Sequence, residues 1–262
     1  MYRFGASQWF IDRTGPAVIA RASSLGFHAI HLDFGKPGEP DYLGSRESGQ
    51  SYRTAAHENN LKIGAFGIRA VEQLGMLGGP ASQNAQRCRD IIHAGIDTAA
   101  EWGVPLIYIP SFFASEIKDD ATLESTADVL REACTYSEGN GVEIATENTL
   151  GGSGNAQLVE KVNHKKFRVL VDTYNPILWG QNVQQLVKTI RQHMCDQLHA
   201  KDGKAGVMGN AVLGEGDGQF NETAKVLVEE NFQGTIIIEN NYLSDAERRV
   251  PQDFAALRRY FS

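Results

Sequence analysis

Short apolar, β-branched runs recur along the chain, and four of those in its second half end on a carboxylate or an imidazole. Val142-Glu143-Ile144-Ala145-Thr146 leads to Glu147, Phe167-Arg168-Val169-Leu170-Val171 to Asp172, Cys195-Asp196-Gln197-Leu198 to His199, and Thr235-Ile236-Ile237-Ile238 to Glu239. Runs of this kind, bounded by polar loops and separated by helical periodicity, predict buried strands of a parallel sheet. The first half continues the alternation, with strands predicted over Tyr2 to Ala6, Phe27 to Leu32, Leu61 to Phe66 and Leu106 to Ile109. Helices are predicted over Pro16 to Leu25, Arg46 to about Asn59, Ser82 to Trp102 and Ala121 to Glu138. Four more follow, over Asn155 to Val162, Asn182 to Arg191, Asn221 to about Glu230 and Asp245 to Phe261. Thr14 can cap the first helix and Pro16 fits its first turn. The pliable connections are Gly35 to Ser45, Gly75 to Pro80 and Gly151 to Gly154, and the longest loop is Asp202 to Gln219.

Eight strand–helix units without a shift in composition predict one domain over residues 1–262. The expected class is α/β, a (β/α)8 TIM barrel. No Gly-x-Gly-x-x-Gly fingerprint follows the first strand, which favours the barrel over an open doubly wound sheet. Periodicity does not show closure, so the open sheet stays as the alternative. In a barrel, the C-terminal strand ends converge on one face, where sites are built. Glu147, Asp172, His199 and Glu239 would meet there and make a nest for a divalent metal. Three carboxylates and an imidazole suit Mn²⁺, Mg²⁺, Co²⁺ or Zn²⁺. A single strand-end carboxylate has the plainer use of an ion pair or loop anchor; four on consecutive strands are harder to explain that way.

Charge and composition narrow the partners. With 25 basic and 32 acidic residues the net charge is −7, which disfavours nucleic acid and anionic membranes as general partners. Cys88, Cys134 and Cys195 have no metal-type spacing and cannot all pair, pointing to a reducing, cytoplasmic setting. The start, Met1-Tyr2-Arg3-Phe4-Gly5, lacks the apolar core of a signal peptide, and no apolar stretch approaches membrane-spanning length. The expected partner is a small carbohydrate, with a homo-oligomer left open.

Other side chains are candidates for the pocket. Lys201, two residues past His199, points the same way in an extended strand; its alternative is an ion pair with Asp202. Trp9, Phe10, Phe34, Phe112 and Phe113 follow strands one, two and four, where they either face a sugar or pack the barrel mouth. His31 either faces the mouth or is a hydrogen-bonded core residue. Asn148 and Asn240 follow the two strand-end glutamates and could orient them. His57, His93 and His164 fall in helical segments and read as surface or packing residues, and Gly35 to Ser45 could fold over a substrate.

The segments Ile144-Ala145-Thr146-Glu147-Asn148, Val171-Asp172-Thr173-Tyr174-Asn175, Leu198-His199-Ala200-Lys201-Asp202 and Ile237-Ile238-Glu239-Asn240 resemble motifs of the xylose isomerase-like superfamily. The nearest group is the sugar isomerases and epimerases, which include tagatose and psicose 3-epimerases, hydroxypyruvate isomerase and inosose dehydratase. Leu213-Gly214-Glu215-Gly216-Asp217-Gly218 resembles that family's Leu-Gly-x-Gly turn before the seventh helix. The resemblance implies that Glu147, Asp172, His199 and Glu239 hold a metal, Mn²⁺ first among the candidates. It also implies that Glu147 and Glu239 double as the acid/base pair. The activity implied is proton abstraction beside a carbonyl through a metal-stabilised enediolate. The chain departs from the epimerase pattern at Asn175, Ala205 and Ser153, where His, Arg and Glu are usual, and at His31, where strand two usually has Glu. With Lys201, His31, Trp9, Phe34, Asn148 and Asn175 as the substrate-binding candidates, the leading expectation is a sugar isomerase or epimerase acting on an unphosphorylated substrate. The runner-up is a lyase, dehydratase or carbon–glycoside-cleaving enzyme acting on an oxidised sugar or inosose. An endonuclease IV-like nuclease, which needs further histidines, and a noncatalytic sugar-binding barrel rank lower.

Overall fold

In a computed structural model, which describes residues 2–79 and 81–261, eight parallel strands run around a common axis. They are β1 (Arg3–Ser7), β2 (Ala29–Asp33), β3 (Lys62–Gly67), β4 (Leu106–Pro110), β5 (Glu143–Glu147), β6 (Phe167–Val169), β7 (Gln197–Ala200) and β8 (Thr235–Ile238). Regular ladders join β1 through β6 in sequence, and β1 also pairs with β8, which pairs with β7. The remaining gap is bridged by the backbone. Cys195 N–H donates to Val169 O at 3.1 Å, His199 N–H to Val171 O at 2.9 Å, and Thr173 N–H to His199 O at 3.0 Å. These bonds close the barrel and remove the open-sheet alternative. Regular β6 is only three residues long, because Asp172 turns back to accept the amides of Tyr174 and Asn175 at 2.7 and 2.6 Å.

The eight expected helices are all present. Ser45, Ser82, Asp119 and Asn182 cap four of them by accepting the amides of Ser48, Ala85, Thr122 and Gln185, satisfying donors that the helix cannot. The helix expected from Asn155 begins earlier, at Gly152, because the Asn155 amide binds back to the Leu150 and Gly151 carbonyls. The last helix, expected to reach Phe261, ends at Arg258. Two short helices, Ala70–Leu74 and Asn175–Leu178, have no counterpart in the sequence reading, since one turn is too short to show periodicity. Pro80, expected in the loop before the long helix Gln83–Trp102, lies outside the described residues.

Side-chain alternation divides the apolar groups into two cores. Ile30, Leu32, Ile107, Ile109, Ile144, Leu198, Ile236 and Ile238 face the surrounding helices. Ala65, Leu106, Tyr108, Ala145, Leu170 and Cys195 fill the barrel interior. The inward parity of Ala145 and Leu170 carries on to Glu147 and Asp172, two residues later. Among the described residues no helix is long and apolar enough to cross a membrane.

The long loop after β7 is gathered on one carboxylate. Asp202 Oδ1 accepts the amides of Gly203 and Gly218 at 2.9 and 3.0 Å, and Oδ2 accepts those of Gly214 and Gly216 at 2.9 and 3.0 Å. A Cβ on Gly216 would lie 2.1 Å from Asp202 Oδ1, so the glycine is required for the amide to approach. This gives the Leu213 to Gly218 turn its physical reason, and it leaves Asp202 no role as partner of Lys201. The loop also holds a two-stranded antiparallel ribbon, Gly203–Lys204 with Val207–Met208. Asp202→Ala strands four amides and is expected to lower stability by about 2–4 kcal/mol, read as a shift in the urea midpoint. Hydrogen exchange at Gly214, Gly216 and Gly218 will speed up with it.

Candidate metal centre

The ends of β5, β6, β7 and β8 bring Glu147, Asp172, His199 and Glu239 together, each buried. One ligand-type atom from each lies within 4.8 Å of the others. His199 Nδ1 stands 3.3 Å from Glu147 Oε2 and 3.4 Å from Glu239 Oε1. Both glutamates are also held by neutral donors, Glu147 through its other oxygen and Glu239 through the same one. Asn175 Nδ2 donates to Glu147 Oε1 at 2.9 Å, and Ser7 Oγ donates to Glu239 Oε1 at 2.7 Å. Lys201 Nζ sits within the group, 3.0 Å from Asp172 Oδ2, 2.7 Å from Glu239 Oε2 and 3.0 Å from Asn175 Oδ1. Its side chain is buried, and its partners are the cluster carboxylates rather than Asp202.

Burial would weaken every charge here, and neighbours decide the outcome. Burial raises the Glu147 carboxyl, and His199 only partly offsets this. Burial also works against Glu239 ionisation, but His199 and Lys201 outweigh it and hold that carboxyl low. His199 and Lys201 are lowered by burial and raised further by the surrounding carboxylates, so both favour the charged form. His199 Nδ1 is buried without a hydrogen bond, and the only close partner of Asp172 Oδ2 among the described residues is the Lys201 ammonium at 3.0 Å. An imidazole nitrogen without a hydrogen bond, ringed by three carboxylates, fits a bound dication, whose charge would replace the proton on His199.

Above the cluster is a cavity of about 220 Å³. Tyr108, Glu147, Asn175, Lys201 and Glu239 reach its floor, and Trp9, Phe10, Phe112, Phe113 and Trp179 are among its walls. The Tyr108 hydroxyl is buried without a partner, and burial and the two glutamates keep it protonated. The Arg69 guanidinium lies over the Trp9 ring at 4.6 Å and 3.5 Å from Glu72. Burial pushes Glu72 up to about 7 against the pull of Arg69.

Three expected pocket residues stand elsewhere. Phe34 is fully buried on the outer face, against Tyr42 and Phe66. Asn148 exchanges hydrogen bonds with Asn155 and anchors the loop after β5. His31 lies beneath His199, with its Nδ1 3.0 Å from His199 Nε2, and burial lowers its imidazole to about 3. These three are support behind the site, not part of the cavity wall. Asn240 likewise accepts the Asp202 amide and donates to Asp253. The Gly35 to Ser45 loop contributes no lining residue, and a bond from Leu43 N–H to Phe34 O at 3.0 Å holds its ends together. Ser7, Tyr108, Arg69, Glu72 and Gln197 went unnoticed in the sequence. Gln197 carried the clearest signal, since it precedes His199 by two residues and shares its face.

A closed (β/α)8 barrel with a carboxylate–imidazole cluster and a cavity at its C-terminal mouth defines a barrel protein whose mouth could hold a cation beside a small ligand. The chain belongs to the xylose isomerase-like TIM barrel family, whose model matches residues 19–260. It is 31% identical over 263 residues to a 2-epi-5-epi-valiolone 7-phosphate 2-epimerase of Actinoplanes sp., covering 98% of this chain and 94% of the relative. Its fold is shared with a D-allulose 3-epimerase from Methylomonas sp. at 13% identity, covering 99% of this chain and 97% of the other, with a TM-score of 0.78. It is shared too with the IOLI protein, solved with a zinc atom, at 16% identity, 99% coverage of each chain and a TM-score of 0.78. The named epimerases among these support an enzyme, and the buried cluster could hold a metal ion.

Proposed function

We propose that this chain is a divalent-metal-dependent epimerase or isomerase of a polyhydroxylated ketone, with Glu147, Asp172, His199 and Glu239 as ligands and Mn²⁺ as the first candidate ion. The observation that carries the reading is the convergence of those four side chains with His199 Nδ1 left without a hydrogen bond, directly beneath a cavity. A dication held there supplies Lewis acidity to a substrate carbonyl and its neighbouring hydroxyl.

The chain's own groups carry the proton. Glu147 and Glu239 come from strands separated around the barrel by β6 and β7, and both reach the cavity floor. One carboxylate takes the proton from the carbon next to the carbonyl, and the other returns one to the opposite face of that carbon, which inverts it. Return to the neighbouring carbon gives isomerisation instead. Lys201, which lines the cavity, supplies a cation for the oxygen on which negative charge develops. Aromatic walls offer faces to the C–H side of a ring.

The relative's name specifies a phosphorylated valiolone as its substrate. At the mouth of this cavity Arg69 is the cation placed to meet such a group, and Glu72 competes for it. Below a pH of about 7 Glu72 is neutral and leaves Arg69 with only the longer contact to Asp33 Oδ2 at 4.0 Å; above it Glu72 is anionic and pairs with Arg69. Affinity for a phosphate ester is therefore expected to fall as pH rises through neutrality. Affinity for the unphosphorylated parent is expected to change little. Glu72→Gln will remove the fall, which calorimetry on either side of neutrality can check.

Incorporation of solvent deuterium into a panel of ketoses, inososes, valiolone-type ketones and their phosphate esters tests the reaction. Label at the carbon next to the carbonyl, with inversion, is the expected result. Absence of label across substrates that bind would refute proton abstraction, and label accompanied by loss of water or an aglycone would reassign the enzyme as a lyase.

A further inference from the structure

The His199 ring has a second nitrogen, and it points away from the carboxylates into a chain of buried polar groups. His199 Nε2 is 3.0 Å from His31 Nδ1, His31 Nε2 is 2.9 Å from Gln197 Oε1, and Gln197 Nε2 is 2.9 Å from the Gly64 carbonyl oxygen. A carbonyl only accepts, so the position of every hydrogen follows from that end. Gln197 turns its NH2 towards Gly64 and thereby presents its oxygen to His31. His31 must carry hydrogen on Nε2, which leaves Nδ1 as an acceptor. His199 must then carry hydrogen on Nε2, whatever its other nitrogen holds. The nitrogen left over, Nδ1, is the one beside Glu147 and Glu239.

Packing alone gives no reason for this arrangement. His31 and His199 are fully buried and Gln197 nearly so, in an interior that elsewhere uses Ala65, Leu106, Ala145 and Leu170. Burying polar groups is costly without a complete set of partners, and an apolar layer would serve stability as well. The backbone is also adapted to it. A Cβ on Gly64 would stand 2.7 Å from Gln197 Oε1 and 3.3 Å from His31 Cδ2, so a side chain at this position would displace the amide.

We propose that Gly64, Gln197 and His31 form a directional hydrogen-bond chain that fixes His199 as the Nε2–H form and aims its Nδ1 lone pair at the carboxylate cluster. His31 and Gln197 are positioning residues for the dication. The purpose assigned to the chain rests on the metal reading above, whereas its hydrogen positions are a property of the protein alone.

The test combines a spectroscopic signature with metal affinity. Two-bond ¹H–¹⁵N correlation spectra of the wild-type imidazoles, recorded metal-free and with diamagnetic Zn²⁺, are expected to show hydrogen on Nε2 of both His31 and His199. Hydrogen on Nδ1 of His31 overturns the proposal, and this readout needs no variant. Mn²⁺ affinity is read from the paramagnetic resonance of the free ion. His31→Phe and Gln197→Met are expected to weaken it about 10–100-fold, as is usual when groups behind a ligand are removed. Gly64→Ala, which changes no donor or acceptor, will weaken it in the same direction. His31→Asn, whose oxygen can take the place of Nδ1, will retain more affinity than His31→Phe. Unchanged affinity in folded His31→Phe and Gln197→Met overturns the positioning role while leaving the metal reading intact. A wild-type chain that binds no Mn²⁺ or Zn²⁺ overturns the metal reading, and with it the purpose given to this chain.

Discussion

Glutamine at position 239 will lower turnover by about 10²–10⁴-fold, the range expected when a general acid or base is lost. The side chain keeps its length, and its amide oxygen can still accept from Ser7, which donates to Glu239 at 2.7 Å in the native chain. What it loses is the capacity to take up a proton, together with the negative charge that pairs with Lys201 Nζ at 2.7 Å. Glu147→Gln is expected to fall in the same range, since Asn175 donates to Glu147 Oε1 and an amide oxygen can still receive that bond. Each variant is to be assayed together with its Mn²⁺ affinity, because both residues also stand in the ligand cluster. Loss of turnover at saturating Mn²⁺ identifies the proton-transfer role. Full recovery of turnover at high Mn²⁺ would show that the glutamate serves only to hold the ion.

The second large effect belongs to Lys201. Its ammonium is the fixed cation between Asp172 and Glu239, and all three side chains are buried. Removing one partner of a buried ionic group leaves uncompensated charge, at a typical cost of about 3–5 kcal/mol. Lys201→Met in the metal-free chain is expected to lose about that much stability in urea unfolding. Saturating Mn²⁺ should restore a substantial part, because a bound dication replaces the missing positive charge and binds only the folded state. An equal loss with and without the ion would mean that Lys201 and the ion do not share a set of carboxylates.

The four strand ends were legible because three of them combine a strand-length β-branched run with a polar residue that the run cannot bury unpaired, and His199 follows the shorter run Cys195-Asp196-Gln197-Leu198 between them. Side-chain parity then made Lys201 readable as a neighbour of His199. Closure was not legible, since it rests on three backbone bonds between β6 and β7 that leave no mark on periodicity. The pairing of β2 with β3 shifts register between Ile30 and His31, so counting along the strand does not settle what His31 faces. Phe34 follows β2 and looked like a pocket aromatic, yet it packs outward on Phe66. Arg69 and Glu72 went unseen because they lie in the connection after β3, whose one-turn helix has no periodic signature. Gln197 was visible in principle by the parity that exposed Lys201, but its partner Gly64 is distant in sequence and has no side chain to announce it.

The central claim is that Glu147, Asp172, His199 and Glu239 share one dication. Anomalous diffraction at the manganese edge from crystals grown with Mn²⁺ tests it most directly. The expected result is a single strong peak per chain, bonded to His199 through Nδ1 and to an oxygen of each of the three carboxylates. Saturating Mn²⁺ with no peak among these side chains, or a peak that leaves out any of them, would contradict it.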